Sequence, residues 1–209
     1  ADDGEIVVLA HDDISLEYGW DEKIKNIFDE SDYGIIGMAG TATLDKNCVW
    51  WEKKGDLCGV VSHEKKDGNK IIKYDTKFSE KHEFVMEVAV VDGLFIAIKK
   101  DRIKQKFNEE ITGFHFYDIS FCVDNFLEGV RIGVTTSFKI HHKSIGDLTP
   151  HWHKNRTLFA QLYQSKLPIE ATPKISDIVK DQPATLTPTK VAVVILTKDK
   201  IDYLIDCVN

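Results

Sequence analysis

The chain has 209 residues, 43% hydrophobic and 29% charged, with a formal net charge of −7. That composition suits one globular domain with a sizeable core plus appendages. The negative balance excludes a nucleic-acid groove, which needs a basic face to displace counterions, and the uncharged apolar runs are too short to span a bilayer. In chain order, residues 6–10 (Ile-Val-Val-Leu-Ala) form a short, β-branched apolar run, read as a strand covered on both faces. It stops on His11, Asp12 and Asp13. In open α/β sheets, ligands bind at the carboxyl ends of strands, and two carboxylates beside an imidazole can cage a divalent cation. Equally, Asp12 or Asp13 could cap the next helix.

Residues 20–30 place apolar side chains at 20, 24, 27 and 28, one helix face, and 33–38 read as the next strand, completing a βαβ unit. Residues 40–55 have no clean period and hold Trp50 and Trp51, either core anchors or a stacking platform for a sugar ring. The runs 57–63 and 70–74 flank Asp67-Gly68, a hairpin signal. Two further strands, 83–91 and 94–99, are interrupted by Asp92 and Gly93, where glycine permits a β-bulge or a close approach. A loop through His115 leads to a helix with apolar positions 116, 119, 123, 126 and 127 that ends at Gly129. Residues 131–140 are β-rich and end on His141 and His142, and a helix over 153–167 turns Leu158, Phe159, Leu162 and Tyr163 inward. Four of the five prolines fall within 168–189, which reads as an extended linker. Residues 191–196 (Val-Ala-Val-Val-Ile-Leu) form a second fully apolar strand, followed by a helix start. Cys48, Cys58, Cys122 and Cys207 have no metal or redox spacing and read as reduced core thiols of a cytosolic protein.

Polar groups thus recur at element ends: His11-Asp12-Asp13, His115 with Asp118, and His141-His142. Asp118, near a helix start, is also explained by the helix dipole. The order of these motifs resembles the inverting, nucleotide-sugar-dependent glycosyltransferases of family 2, which have the A-type fold. It is closest to the bacterial branch associated with capsule and surface polysaccharide synthesis. Residues 7–13 resemble the strand that ends in the D-x-D metal motif, here His11-Asp12-Asp13. Residues 91–97, with Asp92 and Gly93, resemble the acceptor-side strand, and Phe107-Asn108-Glu109 resembles its sequel. Residues 113–119 resemble the helix that carries the catalytic base in an E-D pair, with Tyr117 in place of the Glu. His141 and His142 resemble the late metal-ligand histidine.

The resemblance implies an α/β fold with a mixed, mainly parallel sheet flanked by helices, of the nucleotide-diphospho-sugar transferase (GT-A) type, truncated at its N-terminus. Residues 1–167 would be a glycosyltransferase-like domain lacking its first strands, 168–189 a linker, and 190–209 the start of a second such βα unit. It implies an enzyme with Asp118 as general base. Trp50, Trp51, Asp92, Gly93, His115 and Tyr117 would contact donor or acceptor. His11, Asp12 or Asp13, and His141 or His142 would hold Mn2+ or Mg2+. The partners implied are a UDP-linked sugar donor and a carbohydrate acceptor, with no nucleic acid, in the cytoplasm or at the inner membrane face through a longer parent protein. The expectation for residues 191–196 is docking on the sheet of residues 5–140, within one chain or swapped in a dimer. Two other readings stand beside this one: a metal-dependent hydrolase, and a carbohydrate-binding module built on Trp50, Trp51 and Trp152.

Overall fold

The computed structural model describes residues 6–68, 70–80, 85–144, 148–172, 175–176 and 191–196. In chain order the first half contains β1 (Ile6–His11), β2 (Ile14–Leu16), α1 (Trp20–Glu30), β3 (Tyr33–Gly37), β4 (Ala39–Thr41), β5 (Thr43–Leu44), β6 (Leu57–Asp67) and β7 (Lys70–Lys77). Then come β8 (Val85–Val88), β9 (Val90–Val91), β10 (Phe95–Lys99), α2 (Tyr117–Leu127), β11 (Arg131–Thr135), β12 (Ile140–His142) and α3 (Pro150–Tyr163). The last elements are β13 (Ile169–Glu170), β14 (Ile175–Ser176) and β15 (Val191–Leu196).

The main sheet has the order β14-β8-β11-β3-β10-β1-β15. Its pairings make β1, β3, β11, β14 and β15 run one way and β8 and β10 the other. The sheet is therefore mixed, with most strands in one direction. β3 and β10 are buried along their whole length and β1 along all but its last residue, as continuous apolar runs require. β1 and β3 flank α1 in sequence but are not neighbours, because β10 inserts between them antiparallel to both. The βαβ expectation for residues 6–38 holds in direction, since β1 and β3 run parallel in one sheet, and the unit is split by β10.

α1 buries Ile24, Ile27 and Phe28 and begins after Gly19 with no side-chain cap, so neither Asp12 nor Asp13 caps it. Its end is tied down by Arg102, whose guanidinium donates to the carbonyls of Phe28 (2.9 Å), Ser31 (2.7 Å) and Tyr33 (2.9 Å). The Phe28 and Ser31 carbonyls are acceptors at the helix C-terminus, where a cation is also favoured by the dipole, and Tyr33 opens β3.

A second sheet, β2-β12-β6-β4-β9 with β7 on β6, stands beside the first. The chain crosses between them at single residues: β8 pairs with β11 in the main sheet, and β9, one residue later, pairs with β4. α2 packs on β9 and β11 and ends before Gly129, whose φ of +80° supplies the left-handed exit expected there.

α3 starts at Pro150, earlier than the expected 153, because Thr149 accepts from the Trp152 N–H (3.3 Å) and Pro150 takes the first helical position. Its buried face is Trp152, Asn155, Phe159 and Tyr163; Leu158 and Leu162 are only half-buried. The linker expected from 168 also needs correcting at its start. β13 pairs with β5, and Leu167, Ile169 and Ala171 are buried, so the globular body continues past Pro168.

β15 pairs parallel with β1 in unbroken register, from Ile6 with Val191 to His11 with Leu196. The apolar strand expected to dock does so within one chain. The helix start expected after residue 196 and Cys207 lie outside the described residues. Cys48, Cys58 and Cys122 are buried free thiols, and burial pushes the Cys58 thiol up to about 11.

Candidate active site

A cavity of about 450 Å³ opens where the end of β1, the turn before β10, the start of α2 and the base of the β6–β7 hairpin meet. Its polar wall is built by β1 and β12. His11 closes β1 and donates its backbone N–H to the Leu94 carbonyl (3.1 Å). The chain then turns through Asp12 and Asp13 into β2, which pairs with β12 so that Ile14 lies opposite His142. The Lys143 N–H bonds to the Asp13 carbonyl (3.0 Å). Asp13 is thus carried to the side of His142, with Nε2 to Oδ1 at 3.1 Å. One ligand atom each from His11, Asp13 and His142 lies within 4.8 Å of the others.

The geometry separates the alternatives that the sequence leaves open. Asp12 is exposed, lies outside this cluster and does not line the cavity. His141, one residue along β12, projects to the opposite face, with Nε2 3.4 Å from Glu64 Oε2. The cluster does not arise from a parallel sheet gathering its strand ends, as the sequence suggested. His142 closes β12, a strand of the second sheet brought alongside by β2. That pairing also introduces His63, opposite His142 on β6, with ring centroids 5.6 Å apart and the Tyr74 ring stacked on its other side at 5.7 Å. The only sequence signal for His63 is its place two residues after the buried Val61, on the same face of the strand.

Burial is the main influence on His11 and lowers its pKa; Asp92 opposes this and His142 reinforces it, leaving a neutral imidazole at pH 7. For Asp13 burial acts upward, but the hydrogen bond from Ser144 and the fields of His142 and His11 prevail and hold the carboxyl below its usual range. An ionised carboxylate and two imidazoles form a donor set suited to a divalent transition ion. Binding one would replace the Asp13–His142 contact.

The floor is made by Asp92, Gly93, Tyr117 and Asp118. Asp118, in the first turn of α2, accepts the Gly93 N–H at Oδ2 (2.8 Å), while the Tyr117 hydroxyl donates to the Gly93 carbonyl (3.2 Å). A Cβ at residue 93 would lie 2.4 Å from the Tyr117 hydroxyl oxygen and 3.0 Å from Asp118 Oδ2. Of the two roles open to this glycine, close approach is the one seen. Asp92 accepts the Leu94 N–H at Oδ1 (2.9 Å). Burial, helped by Asp92, raises Asp118 to about 7 against the backbone N–H groups that favour its charged form. Phe116 precedes the helix at φ +69° and is held there by packing on Trp152 and Phe159, with ring centroids 5.5 and 5.4 Å away.

The remaining wall is aromatic. Trp50 is 6% exposed, edge-on to Trp51 and Phe78, and acts as an anchor. Trp51 is 36% exposed and lies 5.8 Å, centroid to centroid, from the buried Trp152, so Trp51 presents the ring surface to the cavity with Trp152 behind it. His115 also lines the cavity, with Nε2 3.3 Å from Thr149 Oγ1. Asn155 fixes this stretch by donating to the carbonyls of Thr112 and His115, both at 2.8 Å.

The profile of a family described as "Glycosyltransferase like family" matches residues 2–163, most of the chain. The chain belongs to this glycosyltransferase-like family. No curated protein matches the chain. The glycosyltransferase-like assignment implies a sugar donor and an acceptor as ligands, and the cavity offers a polar wall and an aromatic wall to receive them. No helix among the described residues of this glycosyltransferase-like chain is long and apolar enough to cross a membrane.

Proposed function

We propose that the protein transfers a sugar from a nucleotide-sugar donor, UDP-linked, to an acceptor hydroxyl with inversion at the anomeric carbon. The observation that carries this reading is Asp118, a buried carboxyl raised to about 7 that lines the same cavity as His11 and His142. A general base works best when its pKa lies near the operating pH. The Asp118 carboxylate takes the proton of the acceptor hydroxyl while that oxygen attacks the anomeric carbon. The bond from that carbon to the nucleotide oxygen breaks on the opposite face, and the nucleotide leaves with the bonding electrons. Gly93 fixes the carboxylate through its N–H, and Trp51, backed by the buried Trp152, offers a ring face on which the acceptor sugar stacks.

The nucleotide diphosphate leaves toward His11, Asp13 and His142. A divalent cation held by these three would supply the positive charge that a diphosphate requires in a chain of net charge −7. With two imidazoles beside one carboxylate, the expected Mn2+ or Mg2+ narrows to Mn2+, since Mg2+ prefers oxygen ligands. A binding module would need the tryptophans but no buried carboxyl raised to about 7, so the transferase reading accounts for more of the site.

Calorimetry with UDP in the presence and absence of Mn2+, followed by NMR of the product formed from a UDP-sugar and an acceptor panel, tests the proposal. Mn2+-dependent UDP binding and an inverted anomeric configuration are expected. Metal-independent sugar binding without nucleotide binding would overturn it.

A further inference from the structure

Among the described residues, the β6–β7 hairpin leaves the body of the protein as a two-stranded ribbon: β7 pairs only with β6, and β12 reaches β6 only at Ser62 and His63. Residues opposite each other in such a ladder share a face. His63 with Tyr74, Lys65 with Ile72 and Asp67 with Lys70 make one face; Ser62 with Asp75 and Glu64 with Lys73 belong to the other, as does Ile71. Ile71 is 58% exposed, Ile72 46% and Tyr74 38%. The two isoleucines therefore stand on opposite faces of one ribbon tip.

Charge is distributed just as unevenly. Lys65, Lys66, Lys70, Lys73 and Lys77 face only Glu64, Asp67 and Asp75 as acids in this hairpin, so it is net positive in a chain of net charge −7. Two of those acids are engaged within the protein: Glu64 with His141 (3.4 Å) and Asp75 with Ser62 Oγ (2.5 Å). Lysines on an edge strand discourage edge-to-edge pairing, which explains the lysines but not large apolar side chains exposed on both faces. A docked protein would cover one face. A nucleic acid would take the lysines and leave the isoleucines in water. A lipid interface surrounds a tip on all sides, accepts the isoleucines below headgroup level and lets lysine stems reach the phosphates.

We infer that the tip of this hairpin inserts into the surface of an anionic lipid bilayer. Four residues separate the His63–Tyr74 pair from the Asp67–Lys70 pair, about 13 Å at strand spacing. Since His63 lines the cavity, docking holds the cavity wall about that far above the inserted tip.

Co-sedimentation of the whole chain with vesicles of phosphatidylcholine, or of equal parts phosphatidylcholine and phosphatidylglycerol, tests this. Binding at least about tenfold stronger to the anionic vesicles and weakened by salt is expected. The Lys65→Glu, Lys70→Glu, Lys73→Glu triple variant and the Ile71→Ser, Ile72→Ser double variant should each lose about tenfold or more, with circular dichroism and thermal midpoint unchanged. No binding to anionic vesicles, or binding that survives both sets of changes, overturns the inference. So does loss of vesicle binding in the lysine variant alone together with a lysine-dependent gel shift of single-stranded RNA, which would make the hairpin a polyanion site. The measurement uses no sugar nucleotide, so its failure is distinct from failure of the transferase proposal.

Discussion

At Asp118, burial and hydrogen bonding pull in opposite directions, and burial with the neighbouring Asp92 prevails, giving a pKa of about 7. Turnover should therefore rise with pH through about 7 as the base ionises, and Asp118→Asn should cut it by ~10²–10⁴ with little change in nucleotide affinity. The same group makes a stability prediction. The folded state keeps the proton up to about 7, whereas the unfolded carboxyl releases it near 3.8. Between those values the native state binds more protons, so stability falls as pH rises through that window. Asp118→Asn should remove this slope and be more stable than the parent at pH 8 by ~4 kcal/mol, read by urea denaturation at several pH values. A second residue-scale prediction separates the neighbouring acids: Asp13→Ala should abolish Mn2+ binding in calorimetry, and Asp12→Ala should leave it near the parent value. The types and order of His11, Asp118 and His142 were legible in the sequence. Which acid of the pair would cluster with His11, and which histidine would face the cavity, was not, because both depend on the tight turn into β2 and on its pairing with β12.

At the level of elements, periodicity reports faithfully on pieces that bury one face and poorly on pieces held by polar ties. α1 follows its pattern closely, whereas α2 is buried almost all round with Leu127 left exposed, and β7 is placed by its pairing with β6 while nearly all its side chains stay exposed. The start of α3 and the 112–115 stretch are set instead by Thr149, Pro150 and Asn155, the first two a recognisable cap signature and the third a buried amide without sequence signal. Asn155→Asp preserves volume but removes the donors to two carbonyls. It should cost ~2–3 kcal/mol in thermal or urea unfolding and raise the acceptor KM more than it lowers kcat, since His115 and Phe114 line the cavity. Asn125 is a parallel case. Its amide bonds to Lys104 N, Gln105 N, Gln105 O and Phe121 O while fully buried, and no periodicity could have shown it.

For the whole molecule, the existence of most strands was readable and their order was not. Nothing local places β10 between β1 and β3, or splits residues 85–91 between two sheets at Ala89. β15 was legible as a strand needing a partner because its residues are apolar at every position. In place, Val193 and Ile195 point to solvent while Ala192 and Val194 are half-buried. Val194→Asp should thus weaken docking on β1 and lower unfolding stability by ~1–3 kcal/mol, and light scattering should show self-association as the β1 edge becomes available.

β1 ends at His11 and β15 begins only at Val191, so the ribosome makes them far apart in time. At a translation rate of ~5–20 residues per second, the interval between their emergence is roughly 10–40 s. Throughout that interval one edge of a fully apolar strand has no partner from its own chain, far longer than the microseconds a hairpin needs to form. The nascent protein therefore presents a sticky strand to its surroundings until β15 is delivered. Its yield in a cell should depend on holdase chaperones and on low expression temperature far more than its finished stability would suggest.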